Sequence, residues 1–138
     1  MSSHQVILQL QEMMLRAVLL GQPLPGANQP LRLPDLEFVT RHPYIYLLDP
    51  VLLNDSPKPL RIVSLETLRQ EAQEMGNIVY LQFHVGEVSD SSVNLRLEAR
   101  IATGDANQHE LGLSSVSVKF SKVGDEWQMV EPPISSAA

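Results

Sequence analysis

Apolar and polar residues alternate along most of the second half of the chain, from residue 78 to residue 130. The alternation falls into four runs: Ile78 to Val85, Val93 to Ala102, Leu113 to Val123, and Glu126 to Val130. A period of two predicts β-strands with one buried face. Because the links between the runs are short and polar, the pattern predicts an antiparallel meander of four strands.

The alternation sorts these strands into two faces. The inner face collects the apolar side chains, which are Val79, Leu81, Phe83, Val85, Val93, Leu95, Leu97, Ala99, Ile101, Val116, Val118, Phe120, Trp127 and Met129. The outer face collects Tyr80, Gln82, His84, Asn94, Arg96, Glu98, Arg100, Ser115, Ser117, Lys119, Ser121 and Gln128. We expect helices to cover the inner face and water to cover the outer face. The alternative is that a partner binds the outer face, since Tyr and Arg are favoured at interfaces. Its candidate residues are Tyr80, Gln82, His84, Arg96 and Arg100.

Two segments have the three- and four-residue spacing of amphipathic helices. The first covers residues 4–20 and ends at Gly21. The second covers residues 64–75, begins with Ser64 as a favourable N-cap and ends at Gly76. Residues 22–43 are rich in proline and predict a mostly extended connection, and residues 44–49 have strand composition.

These elements predict an α+β fold. We expect the N-terminal helix and the second helix to pack on one face of a curved, mainly antiparallel sheet of four to five strands. The order of elements predicts one domain over residues 1–133. Residues 134–138 end in Ser-Ser-Ala-Ala and offer little to bury, so they are expected to be a frayed tail.

The apolar stripe of the first helix has two interpretations. A stripe of this width is typical of a helix that packs on the core. Met13 and Met14, followed by Leu15, can also form a contact with a partner or with a second copy of the chain. A helix on a membrane surface would carry Lys and Arg on its polar face, and only Arg16 is there.

Composition and charge argue against several classes of function. The chain has 138 residues and a net charge of -6, with ten Lys and Arg against sixteen Asp and Glu. Such a balance disfavours nucleic-acid binding, which needs a positive field. The absence of cysteine excludes disulfides and thiolate metal sites and fits a cytoplasmic location. No window has the roughly 18 apolar residues that predict a membrane span, and the N-terminus lacks the basic start of a signal peptide.

The motifs of common catalytic and metal sites do not occur. His4, His42, His84 and His109 have no metal-ligand spacing among them. The loop from Asp105 to Glu110 begins like a calcium loop but lacks its glycine and its closing glutamate. There is no glycine-rich phosphate loop and no serine elbow. The sequence therefore predicts no metal and no cofactor.

The closing hairpin, SVSVKFSKVGDEWQMVE over residues 115–131, resembles that of the ketosteroid-isomerase-like and cystatin-like α+β cone families. Members of these families are enzymes, ligand binders or non-catalytic assembly modules. The resemblance implies that an enzyme would place acids, bases or phenols on the inward face, where this chain has none. Weaker candidates stand at the expected mouth of the cone, namely His42, Tyr44 and Asp49, with Tyr46 and Glu37 nearby.

Three functions follow as hypotheses. The first is a non-catalytic protein-interaction or assembly module, with a homodimer as one form of it. The second is a cone that binds a small apolar ligand between helix and sheet. The third is an enzyme that uses His42, Tyr44 or Asp49. Fold alone does not choose among them.

Overall fold

The first helix, α1 (Ser3–Leu20), is embedded in the molecule along much of its length. The computed structural model describes residues 3–105 and 110–137 of the chain, and α1 confirms the predicted helix over residues 4–20. Its fully or almost fully buried apolar side chains are Leu10, Met14, Leu15, Ala17 and Val18. The helix ends at Gly21, whose positive φ of 72° is accessible to glycine without strain and whose amide donates to the Ala17 carbonyl.

The proline-rich connection is more structured than the expected extended segment. An antiparallel bridge joins Pro23 to Pro30, and the chain then places Leu24, Leu31 and Leu33 in the core. A short helix, α2 (Leu36–Thr40), follows. The sequence could not reveal this packing, because prolines interrupt any period that would mark the three leucines as buried.

The sheet is larger and more mixed than predicted. Within the described residues it has seven strands: β1 (Ile45–Leu47), β2 (Leu60–Ile62), β3 (Ile78–Val88), β4 (Ser92–Ala102), β5 (Leu111–Val123), β6 (Glu126–Met129) and β7 (Ile134–Ala137). The order is β2-β1-β3-β4-β5-β6, and β7 also pairs with β5. The predicted meander from β3 to β6 is confirmed. β1 confirms the strand predicted from residues 44–49, and it pairs in parallel with both β3 and β2. The expected four to five strands were too few, because β2 and β7 were not predicted.

The tail differs from the expected frayed segment. Residues Ile134 to Ala137 form β7 and pair with Ser117 to Ser114 of β5. β6 occupies the neighbouring part of the same β5 edge, so residues 130–133, with two prolines, interrupt one long edge strand. All four β7 residues are exposed. Backbone hydrogen bonds rather than side-chain burial therefore hold this strand, which is why its composition gave no signal.

The inner face follows the alternation closely. α1 packs over it, and the inner side chains that are buried include Leu81, Phe83, Leu95, Leu97, Val116, Val118 and Phe120. Val85 is the clearest exception at 47% exposed, where the pairing of β3 with β4 becomes irregular between Val85 and Val88. The inner face is the main core of the protein.

The second long helix, α3 (Leu65–Met75), lies on the opposite face from α1. Its buried residues Leu68 and Ala72 pack with Tyr46, Tyr80 and Ala102, which form a second core cluster. Tyr80 alternates with the inner residues Val79 and Leu81, so α3 covers the outer face. The expectation that both helices share one face was therefore wrong. No helix among the described residues has the length and apolar character needed to cross a membrane.

The ends of α3 are those that the sequence predicts. The Ser64 hydroxyl accepts a hydrogen bond from the Thr67 amide, and Gly76 takes a positive φ of 91° at the other end. Arg69 then binds both carboxylate oxygens of Glu110, just before β5. This pair anchors the helix over one end of the outer face.

Candidate functional site

The outer face of β3, β4 and β5 is arranged in cross-strand rows. One row joins Tyr80 to Arg100, and the next joins Gln82, Glu98, Ser115 and Ser136. The third row joins His84, Arg96, Ser117 and Ile134 across four strands. We call the first row the covered end, since α3 lies over it, and the third row the open end. The two ends differ in burial and in chemistry.

The covered end buries Tyr80. Its side chain is only 1% exposed, and its hydroxyl accepts a hydrogen bond from Arg100 Nε at 3.2 Å. Burial raises the pKa of the Tyr80 phenol, and the hydrogen bond from Arg100 offsets part of that effect. Tyr80 was expected on a solvated or partner-binding surface. It is a core residue instead and is not accessible to a partner.

A chain of hydrogen bonds leads from the covered end to the open end. Arg100 binds both carboxylate oxygens of Glu98 at 3.2 Å, and His84 Nε2 lies 2.7 Å from Glu98 Oε1. Burial alone would raise the pKa of Glu98, but the hydrogen bonds from His84 and Arg100 outweigh it and lower that pKa. Glu98 is therefore held ionised between two donors. The network fixes the side chains of the candidates His84 and Arg100, while Gln82 lies half-buried beside it.

Gly112 leaves space for this network. It pairs with Arg100, and a Cβ built on Gly112 would lie 3.1 Å from Glu98 Oε2. Such a contact is tighter than ordinary van der Waals packing, so a larger residue would push against the carboxylate. The irregular pairing between Ala99 and Arg100 occurs at the same place.

The open end contains a groove of about 530 Å³. Its polar wall is formed by His84, Asn94, Arg96, Ser117 and Lys119, and its far side by Glu131, Pro132 and Ile134. Arg96 is exposed, and Ile134 is 69% exposed. Lys119 Nζ lies 3.7 Å from Glu131 Oε1. The groove therefore combines hydrogen-bond donors, two permanent cations and the exposed apolar side chain of Ile134.

The candidate catalytic residues His42 and Asp49 support the backbone. His42 Nε2 accepts the Val79 amide at 3.1 Å, and Asp49 Oδ2 accepts the Phe83 amide at 2.7 Å. β1 is only three residues long, so these two side chains extend its pairing with β3 at both ends. Val79 and Phe83 are four residues apart, or about 13 Å along a strand. The two candidates therefore do not form one site.

Burial and neighbouring charges shift the pKa values of His42 and Asp49, and the shift of His42 favours its contact with the backbone. Burial lowers the pKa of His42, and the neighbouring charges of Arg41 and Lys58 lower it further. The neutral imidazole can then accept the Val79 amide. Burial raises the pKa of Asp49, although its hydrogen bond from the Phe83 amide acts against that shift.

The tyrosines beside these residues take different positions. Tyr44 is exposed, and Tyr46 is buried with its ring 5.8 Å from the His42 ring and edge-on to it. The Arg61 guanidinium lies 5.8 Å from the centre of the Tyr44 ring and forms an ion pair with Glu71. Glu37 is exposed on α2. These contacts join β1, β2 and α3 and do not place an acid and a base at one reacting centre.

Met13 and Met14 do not form an open docking surface. Met14 is fully buried, and Met13 is half-buried against the main core. The helix stripe is therefore a core contact, in agreement with the first interpretation of its pattern. The partner contact proposed from Met13 and Met14 is not supported by their burial.

Metal ligands do not cluster among the residues that the structure describes. The calcium-like loop from Asp105 to Glu110 lies largely outside them, since residues 106–109 are not described. No protein-family model, curated protein or solved structure matches the chain. The function of the open end is therefore argued from its own geometry.

Sequence reasoning missed part of the open end. The alternation placed Asn94, Ser117 and Lys119 on the outer face, but nothing in their spacing marked them as neighbours of one groove. Ile134 and Glu131 were missed because the interrupted edge strand has no periodic pattern. A signal was present in the register, since antiparallel pairing from the Gly124 turn brings Lys119 beside Val130.

Proposed function

We propose that the chain is a non-catalytic protein-interaction module that binds its partner at the open end of the outer face. The observation that carries the proposal is the unequal cover of one sheet face: α3 seals the Tyr80 row, and the His84 row is left open with an exposed Ile134 at its edge. A fixed charge network beside an exposed apolar residue suits a protein interface, whose rim is polar and whose contacts need little reordering.

Self-association is the assembly form of this proposal. A homodimer through the open end would cover the same residues on both copies, as twofold symmetry requires. Light scattering over a range of protein concentrations tests it: a mass of two chains supports the homodimer, and a constant mass of one chain removes this form and leaves a different protein as the partner.

Site-specific crosslinking tests the module itself. A photo-reactive amino acid replaces Ser117 in the groove or, as the control, Leu52, which is 72% exposed in the loop between β1 and β2. In host cells the proposal expects a discrete product from position 117, identified by mass spectrometry, and none of the same mass from position 52. Equal products from both positions, or none from position 117, would contradict it.

The identified partner is then purified and titrated against two matched variants. Ile134→Ser should weaken binding by about tenfold, because it removes a large apolar contact. Leu52→Ser removes an equally exposed side chain elsewhere and should leave the affinity unchanged.

The other hypotheses stay predictions. The space between α1 and the sheet is filled by side chains of the chain itself, among them Leu10, Met14 and Leu97, so no observation favours an apolar ligand there. The likeness to the ketosteroid-isomerase-like and cystatin-like families and the cytoplasmic location also stay predictions.

A further inference from the structure

Hydrogen-bond donors without partners line the open end. Asn94 pairs with Lys119 across the strands, and Arg96 pairs with Ser117. Within residues 3–105 and 110–137, the side chains of Asn94, Arg96 and Ser117 make no hydrogen bond or ion pair with another residue. This patch is rich in donors and cations, although the whole chain carries a net charge of -6.

The charge of Arg96 stays uncompensated for a structural reason. Glu98 lies two residues away on the same strand and points to the same face. Its carboxylate is already occupied by His84 and Arg100, at 2.7 Å and 3.2 Å. The nearest acid on the strand is therefore not free to neutralise Arg96.

The spacing of the two cations matches an extended peptide. Arg96 pairs with Ser117, and Lys119 lies two residues further along β5, so the two cationic residues are diagonal neighbours. In an antiparallel sheet the backbones of such neighbours are about 7–8 Å apart. Side chains at alternate positions of an extended segment point the same way and lie about 6.6–6.8 Å apart. Two carboxylates separated by one residue can thus reach both cations together.

We propose that the partner of the open end is an acidic extended segment of a protein, with two carboxylates at alternate positions that bind Arg96 and Lys119. This inference rests on the proposed function and names the chemistry of the partner. Asn94 and Ser117 lie beside the two cations and supply neutral donors to the same carboxylates or to the peptide backbone. Ile134, next to Ser117 in its row, contacts an apolar side chain that flanks the acidic pair.

Glu131 acts as an internal competitor for this segment. Its carboxylate lies 3.7 Å from Lys119 Nζ at the interruption between β6 and β7, and its side chain is mostly exposed. A longer ion pair of this kind is weak. An incoming carboxylate can replace it without unfolding any element.

Nucleic acid fits the open end less well than an acidic peptide. Arg96 and Lys119 are the two permanent cations of the groove lining, and phosphate backbones are bound by larger arrays of cations that release many counterions. The acidic charge of the whole chain would also repel a polyanion, whereas a short peptide with two carboxylates carries little additional charge.

Fluorescence polarisation with a labelled synthetic peptide tests the proposal. The probe has seven residues, with glutamates at its third and fifth positions and threonine or valine elsewhere. The control peptides carry glutamine in both places, or the two glutamates at adjacent positions. We expect the alternate-glutamate peptide to bind about tenfold more tightly than either control, because only that peptide offers two charged acceptors at the required spacing.

Four protein variants separate the effect of the site from that of overall charge. Arg96→Ala and Lys119→Ala should each weaken binding of this probe by about fivefold to tenfold. Lys122→Ala removes one positive charge from β5, the strand that carries Lys119, but outside the groove. It should leave binding unchanged. Glu131→Gln should tighten binding by about threefold, because it releases Lys119. All four proteins are compared by circular dichroism to confirm that they are folded.

Several results would overturn the inference. They are equal binding of the glutamine peptide, no effect of Arg96→Ala in a folded protein, weaker binding by Glu131→Gln, or a single-stranded oligonucleotide that binds the groove more tightly than the peptide. The proposed function is tested separately: a crosslinked partner that binds in an Ile134-dependent way while Arg96→Ala has no effect refutes the acidic segment and retains the module. If neither Ile134→Ser nor Arg96→Ala weakens the binding of the partner, both the acidic segment and the interaction module are refuted.

Discussion

The inner and outer faces of the central sheet are made by the same three strands, yet they are covered in different ways. The inner face is mostly apolar, and α1 and the loops cover it except near Val85. The outer face is divided, with α3 over Tyr80 at one end and an open groove at Arg96 at the other. Alternation therefore determines which side chains share a face, and the placement of the helices determines which of them meet water.

The largest expected effect compares neighbours on opposite faces. Phe83→Ala should lower the free energy of unfolding by about 3–5 kcal/mol, because Phe83 is buried in the main core. His84→Ala should lower it by less than about 1 kcal/mol, since it removes one partly exposed hydrogen bond with Glu98. Urea denaturation of both variants measures the difference, and equal losses would mean that the two faces are not distinct.

A smaller effect sharpens the division within the outer face. Tyr80→Phe should lower the free energy of unfolding by about 1–2 kcal/mol, because the partly buried Arg100 Nε loses the phenol oxygen that it binds. Tyr44→Phe is the matched control at an exposed tyrosine and should change stability by less than about 0.5 kcal/mol. The same denaturation experiment applies, and a neutral Tyr80→Phe would show that the covered end is not sealed.

A weaker effect, through pH, tests the backbone role of His42. Its pKa is lowered below 6.5 by burial and by the charges of Arg41 and Lys58. Below pH 6.5 the unfolded chain therefore binds this proton more readily than the folded chain. The stabilising contribution of the neutral imidazole is complete above that pH and is lost as the pH falls.

His42→Gln isolates this contribution, since glutamine can accept the Val79 amide and does not titrate. Denaturation midpoints at about pH 7.5 and about pH 5.5 should show a smaller acid-induced loss for the variant than for the wild type. An identical loss in both proteins would mean that His42 is already charged in the folded state or has no such contact.

Much of this architecture could be predicted from the residues, and the misses have physical causes. The faces of β3 to β5 followed from alternation, and α3 followed from Ser64 and Gly76. The side on which α3 packs did not follow, because a tyrosine such as Tyr80 suits either a buried or a solvated position. β2 and β7 were missed because Leu60–Ile62 is short and close to prolines, and because β7 is held by backbone hydrogen bonds.

The candidate site was predicted in part. The outer-face residues Gln82, His84, Arg96 and Arg100 were placed on the correct face. His42 and Asp49 were candidate catalytic residues in the sequence, but in the structure they accept hydrogen bonds from backbone amides of β3. Pairing of this kind depends on which strands lie side by side, and a pattern within one strand contains no information about its neighbours.

The reactivity of single introduced cysteines tests the division of the outer face most directly, because the chain has no cysteine of its own. Ala102→Cys places a thiol under α3, and Ser117→Cys places one in the open groove. We expect the thiol at half-buried position 117 to react with a thiol reagent in the folded protein, and the thiol at fully buried position 102 to react at least about a hundredfold more slowly. Similar rates at the two positions would contradict the division of this face into a covered and an open end.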